Sequence, residues 1–152
     1  MSGRRYPDRP VAAAGGVIVS QGRLLLISRR KPPAAGQWTF PGGVIRLGES
    51  GPEAVRREVE EECGLEVRVG EPFCVADVIA CDAEGAILYH YLIVNYLARP
   101  RGQIAKAQSD AAEVRWVGPG ELEDLALTAS TRELVPRLKE LLVAKGGSWG
   151  LE

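Results

Sequence analysis

Between Gly43 and Leu65 the chain reads GVIRLGESGPEAVRREVEEECGL, a glycine-opened loop running into a helix with more negative charge than a helix has use for. At about 100° of rotation per residue, Ala54, Glu58, Glu61 and Glu62 fall on one narrow stripe and Val55, Val59 and Cys63 on an adjacent apolar one. Glu53, Arg56 and Glu60 take the remaining side. Glu58 is three residues from Glu61 and four from Glu62, a spacing at which each like-charge pair costs a helix about 0.2–0.5 kcal/mol. Gly64 suits the turn past the helix end, which puts these carboxylates in the last two turns, where the helix dipole favours cations. Two readings answer the excess charge. One is a solvated acidic face bridged by Arg56 and Arg57. The other is a hard divalent cation, Mg²⁺ or Mn²⁺ as its substitute, held through oxygen ligands.

Gly43, Glu49, Arg57, Glu58, the aliphatic Val59, Glu61, Glu62, Gly64 and the aliphatic Leu65 stand at the spacing of the Nudix box, which this stretch resembles at every defined position. The resemblance implies an α/β fold, a Nudix-type α/β/α sandwich with a mixed central sheet and a catalytic loop-helix-loop. It further implies that Glu58, Glu61 and Glu62 hold the metal, with the Gly42 carbonyl as a backbone ligand. Arg57 would orient a box carboxylate, and Glu49 would support the site directly or through water. Members of the family draw the general base either from the box helix, here Glu58 or Glu61, or from a later loop, here Asp110 or Glu113. Arg29, at the end of a strand, and Arg46, inside the box loop, are candidates for gripping phosphate oxygens, with Gly43 and Glu49 beside them at the substrate.

The chemistry that suits carboxylate-held Mg²⁺ beside a glycine loop is attack of water on a phosphoanhydride, since the cation neutralises phosphate charge and lowers the pKa of bound water. The sequence lacks a G-x-S-x-G elbow, a Walker-type loop and a G-x-G-x-x-G fingerprint, and has one histidine, so no competing catalytic motif presents itself. The RPVAAAGGVIV opening and GQWTFPGG before the box are similar to small ADP-ribose pyrophosphatase-like members, which implies ADP-ribose or a related nucleoside diphosphate sugar as substrate. Alternatives are a nucleoside triphosphate or oxidised-nucleotide pyrophosphatase, a dinucleoside polyphosphate hydrolase and, from another class, a non-catalytic nucleotide-sugar sensor. The resemblance also brings the expectation of a homodimer.

These residues sit in a chain of 152 residues, 45% hydrophobic and 26% charged, with a formal net charge of −1. That is one domain's worth of soluble protein. The charge argues against nucleic-acid or membrane-surface binding, both of which want a basic face. Three cysteines without CxxC spacing and a single histidine leave no zinc site and no disulfide framework, so Cys63 reads as a small core residue and the compartment as cytoplasmic.

What positions the box is a series of strands and turns. Residues 1–10 read as a flexible arm, 11–145 as the domain and 146–152 as a tail whose Trp149 is a candidate anchor. Val11 to Val19 and Arg23 to Arg29 predict a hairpin about Gln21-Gly22. KPPAAGQ is a loop, followed by a short extended piece through Trp38 and Phe40, both expected in the core. Gly42 and Gly43 are expected to adopt backbone conformations closed to other residues and to let a ligand approach. Ser50 with Glu53 gives a capping-box pattern at the helix start. Then come strands Glu66 to Val69, Phe73 to Cys81 and a central Ile87 to Ala98. A functional loop Arg99 to Ala112, a strand Glu113 to Val117 and a helical turn from Pro119 follow. A last helix, Thr131 to Ala144, has a start that Pro136 delays or kinks.

Overall fold

The computed structural model describes residues 4–32, 34–102 and 105–144; the 146–152 tail and its Trp149 lie outside them. Among the described residues no helix is long and apolar enough to cross a membrane. In chain order the elements are β1 (Val11–Ser20), β2 (Arg23–Arg29), β3 (Trp38–Thr39), β4 (Gly42–Val44), α1 (Gly51–Cys63), β5 (Val67–Cys81), β6 (Ile87–Pro100) and β7 (Ala111–Val117). A 3-10 helix (Pro119–Asp124), α2 (Ala129–Arg132) and α3 (Val135–Val143) complete them. The strands form one mixed sheet in the order β3-β2-β1-β6-β5, with β4 beside β1 and β7 beside β2.

The hairpin expected of β1 and β2 is present only at its tip. Val19 pairs with Leu24 and Ser20 with Arg23, after which the strands part. The reason is competition for β1. Its edge at Ala13, Ala14 and Gly15 is taken by Val44, Gly43 and Gly42 of β4. Its other edge pairs in parallel with β6 from Val11↔Tyr91 to Ile18↔Ala98. β2 therefore turns to β7 and β3 instead. β1 is shared by both halves of the sheet, and β6 lies inside it as expected.

Alternation along β1 and β2 gives the sheet two apolar faces. Ala14, Ile18, Leu25 and Ile27 pack under Ala54, Val55, Val59 and Cys63 of α1. Val17, Val19, Leu24, Leu26, Trp38 and Phe40 pack under Leu122 of the 3-10 helix and Val135, Leu138 and Leu142 of α3. Each cluster removes the apolar stripe of a helix from water, worth about 1.5–3 kcal/mol per large side chain. The result is the α/β/α sandwich.

Three further boundaries differ from the sequence reading. The strands expected at Glu66 to Val69 and Phe73 to Cys81 are one, β5, with register shifts on either side of Pro72; β5 is an edge strand, where a missing N–H is tolerated. The last helix is two, because Pro136 occupies the first turn of α3 and the short α2 precedes it. The N-terminal arm is tied down in part: Tyr6 N–H donates to Leu88 O and Tyr6 Oη to Asp82 Oδ2, at 2.9 and 2.8 Å.

The box helix starts as the sequence implies. Ser50 Oγ accepts from Glu53 N–H and Glu53 returns the bond to Ser50 N–H, each at 3.2 Å. It ends at Gly64, left-handed with φ 66°. Replacing Ser50 with Ala is expected to lower unfolding stability by about 1 kcal/mol, read as a lower urea midpoint at unchanged slope. An unchanged midpoint would show that the cap contributes nothing.

Candidate metal and substrate site

The site is assembled where the β4 glycines pass beneath α1. Neither Gly42 nor Gly43 has a positive φ, so the expectation of a special backbone conformation is corrected: the requirement is room. A Cβ on Gly42 would lie 2.3 Å from Ala14 O, and one on Gly43 would lie 2.5 Å from the Glu58 carboxylate. Gly42 uses its N–H here, donating to Glu62 Oε1 at 2.8 Å.

Arg57 is the hub. Its Nε and Nη2 hold the two oxygens of Glu49 at 2.7 and 2.8 Å, a bidentate pair. Nη1 reaches Glu58 Oε1 at 2.7 Å and Glu61 Oε2 at 3.5 Å, and Nη2 also donates to Val44 O at 3.0 Å. Glu49 in turn accepts from Arg46 N–H at 3.0 Å. One guanidinium thus fastens the box loop, β4 and the helix together. The pairing holds the Glu49 carboxyl down to about 2 and raises Arg57 further above its already high value.

Glu62 is the opposite case. It is 4% exposed, and burial, with the Glu58 charge next in weight, pushes its carboxyl up to about 8 despite the Gly42 N–H and the charge of Arg29. Asp110 adds to the upward push. Cys63, beside it, is raised to about 12 by burial and is an inert core thiol.

Among the described residues no three acidic, histidine or cysteine side chains stand close enough together to hold a metal ion as they are placed. The physical reason is visible: the Arg57 guanidinium lies among Glu58, Glu61 and Glu49 and supplies the positive charge they need. The donors nevertheless fit a hard cation. Glu58, Glu61 and Glu62 offer carboxylate oxygens, burial disfavours the charged form of Glu62 in the absence of a further cation, and the Gly43 Cα leaves the space over Glu58 that a methyl group would fill.

The remaining predicted residues divide. Arg29 ends β2 on the α1 face and acts electrostatically on Glu62. Arg46 is mostly exposed, 3.8 Å from Glu61. Asp110 is placed by a pinned loop: Lys106 N–H donates to Cys63 O, Gln108 N–H to Glu62 O and Arg30 N–H to Asp110 O, all at 2.9 Å. Glu113 is not brought to the cluster. It is exposed on β7 opposite Ser28, whose side chain shares the face of Leu24 and Leu26, and that face packs away from α1.

On that second face lies a cavity of about 620 Å³. Its floor is Ala13 and Gly15 of β1 with Tyr91, Ile93 and Asn95 of β6, its walls include Gln37, Phe40, Ser130 and Glu133, and it extends to Gly42, Gly43 and Arg29. The volume suits a nucleotide-sized ligand. The sequence reading missed Gln37, Asn95, Ser130 and Glu133. Asn95 carried the one usable signal, an amide inside an otherwise apolar and aromatic strand; the others are single polar residues in turns.

A family model described as NUDIX domain matches residues 8–138. The chain is 32% identical over 117 residues to an ADP-ribose pyrophosphatase of Methanocaldococcus jannaschii, covering 77% of this chain and 67% of that one. It is 34% identical over 114 residues to the nucleoside triphosphatase NudI of Escherichia coli, covering 70% and 79%. Among solved structures, a MutT NUDIX hydrolase from Burkholderia pseudomallei superposes with a TM-score of 0.72 at 31% identity, covering 85% of this chain and 98% of that one.

Because the Glu49 carboxyl is lowered in the folded state, its contribution is fully present above the ordinary carboxylate value and is lost as pH falls from about 4.5 towards about 2. The melting temperature is expected to drop across that window, and Glu49→Gln to be less stable at pH 6 with a flatter acid limb. Parallel acid limbs for the two proteins would refute the assignment.

Proposed function

The chain belongs to the Nudix hydrolase family, and from that premise we propose that it hydrolyses the phosphoanhydride of ADP-ribose or a related nucleoside diphosphate sugar with the help of Mg²⁺. One observation carries the reading. A nucleotide-sized cavity and a carboxylate cluster lie on opposite sides of the same two glycines, Gly42 and Gly43, so a ligand seated in the cavity would bring its phosphates to the cluster.

Glu58, Glu61 and Glu62 would hold the cation, with the Gly42 carbonyl available beside them. Mg²⁺, when bound, supplies charge for the phosphate oxygens and acidifies a water molecule. Mn²⁺, another hard ion with oxygen preference, would substitute. Arg57 keeps Glu58 and Glu61 oriented through the bonds it already makes, and its bidentate hold on Glu49 fixes the loop. Arg29, at the cavity's phosphate end, would pair with phosphate oxygens, with Arg46 further out. Asp110, on the loop pinned to the end of α1, would accept the proton from water, a reading supported by that loop's bonds to the helix end and by the exposure of Glu113 on β7 opposite Ser28. ADP-ribose is preferred because the Methanocaldococcus jannaschii relative carries that activity in its name. A triphosphate reading stands second on the name of the Escherichia coli relative. Such substrates belong to the cytoplasm, and the proposal carries that location with it.

The test is a panel of ADP-ribose, other nucleoside diphosphate sugars, nucleoside triphosphates, oxidised deoxynucleotides and dinucleoside polyphosphates, assayed with Mg²⁺ and with chelator. AMP release from ADP-ribose well above the triphosphates, abolished by chelation, is expected. Preference for a triphosphate would move the substrate to the second reading, and ligand binding without turnover would leave a sensor. Glu58→Gln is expected to lose at least about a hundredfold in kcat with ligand affinity retained. Asp110→Asn is expected to lose a similar factor and Glu113→Gln to stay within about twofold; the reverse order would restore Glu113 as the base.

A further inference from the structure

The cavity floor carries a polar group that the hydrolytic chemistry does not use. Asn95 is 5% exposed and lies on β6 among Ala13, Gly15, Ile93 and Val17 of the apolar floor and its continuation. Among the described residues its side chain bonds from Nδ2 to Cys74 Sγ at 3.5 Å, a weak acceptor. No bond to a described residue is made by the carboxamide oxygen or the second amide hydrogen. An amide lining a cavity with so few protein partners keeps hydrogen-bonding capacity for a ligand.

The position has been cleared for it. Gly15 is the parallel partner of Asn95 across the β1–β6 ladder, and a Cβ on Gly15 would stand 2.3 Å from Asn95 Oδ1 and 3.3 Å from Pro41 O. φ at Gly15 is not positive, so glycine serves to make room for the amide and for whatever approaches it. Cys74 Sγ accepts one amide hydrogen, and the residue that carries the other N–H and the carbonyl lines the cavity.

We infer that Asn95 reads the nucleobase of the bound nucleotide, its free N–H and carbonyl meeting an adjacent acceptor and donor on the base edge. This pairing is the one a carboxamide makes with adenine, whose amino group donates beside a ring-nitrogen acceptor. Phe40, which lines the same cavity and is buried, offers an apolar flank to a planar base. The inference deepens the proposed function, resting on the cavity as the nucleoside end of the site, and assigns the recognition of the base to one side chain and the glycine opposite it.

The test uses binding, so that it does not depend on turnover. AMP and ribose 5-phosphate share the phosphate and sugar, differ in the base and contain no phosphoanhydride. Titration calorimetry with Mg²⁺ is expected to show the full-length protein binding AMP at least about tenfold more tightly than ribose 5-phosphate. Asn95→Leu should close that gap to within about twofold while leaving ribose 5-phosphate unchanged. Gly15→Ala, which keeps the amide but displaces it, should narrow the gap in the same direction, and it guards against a leucine variant that fails to fold. A gap that survives in both variants, or a wild-type protein that does not prefer AMP, overturns the inference. Absence of turnover on the substrate panel with the AMP preference intact and sensitive to Asn95 would overturn the hydrolytic proposal and leave base recognition standing.

Discussion

The pairing of Arg57 with Glu49 is the interaction on which the rest of the site depends. The two residues are eight apart in sequence, one on the helix and one on the loop that leads into it, and they close that loop with two charge-assisted bonds. A mostly shielded bidentate pair of this kind is stronger and more directional than a surface ion pair. Because Arg57 also holds Val44 O, Glu58 and Glu61, the loop, β4 and the carboxylate stripe have one common reference point. The acidic helix face that would be costly alone becomes tolerable, since the guanidinium sits where the like charges crowd.

From that reference point the fold separates two tasks by the two faces of one sheet. α1 and its carboxylates occupy one face, and α2, α3 and the cavity occupy the other. β4 runs between them and carries two consecutive glycines, both needed for want of space. The two tasks meet at these glycines, which line the cavity and adjoin Glu58 and Glu62 without putting both sets of groups in one compartment.

Much of this was legible in the sequence because it is written in local spacing. The capping box at Ser50 and Glu53, the stop at Gly64, the stripes of α1 and the delayed start at Pro136 all depend on residues within a turn or two of one another. What was not legible depends on partners far apart in the chain. The parting of β1 from β2 follows from β4 and β6 competing for β1. Glu62 differs from Glu58 and Glu61 only through burial against β4 and the later loop. Asp110 and Glu113 are three residues apart, yet a bulge at Ser28/Arg29 and the pleat of β7 send them to different surroundings. The cavity residues were the least visible, since Gln37, Asn95 and Glu133 converge only once strands and α2 are assembled.

The bonds from Lys106 and Gln108 to the last carbonyls of α1 divide the β6–β7 connection into parts with different histories open to them. Among the described residues of the connection, hydrogen bonds to the carbonyls of α1 begin at Lys106, so a change of length before it would leave those two bonds in place. From Lys106 to Asp110 the count is fixed, because adding one residue would unseat both amides and carry Asp110 away from Glu62. Drift in length should therefore collect in the first half of the connection, while the second half keeps its length even as its side chains change.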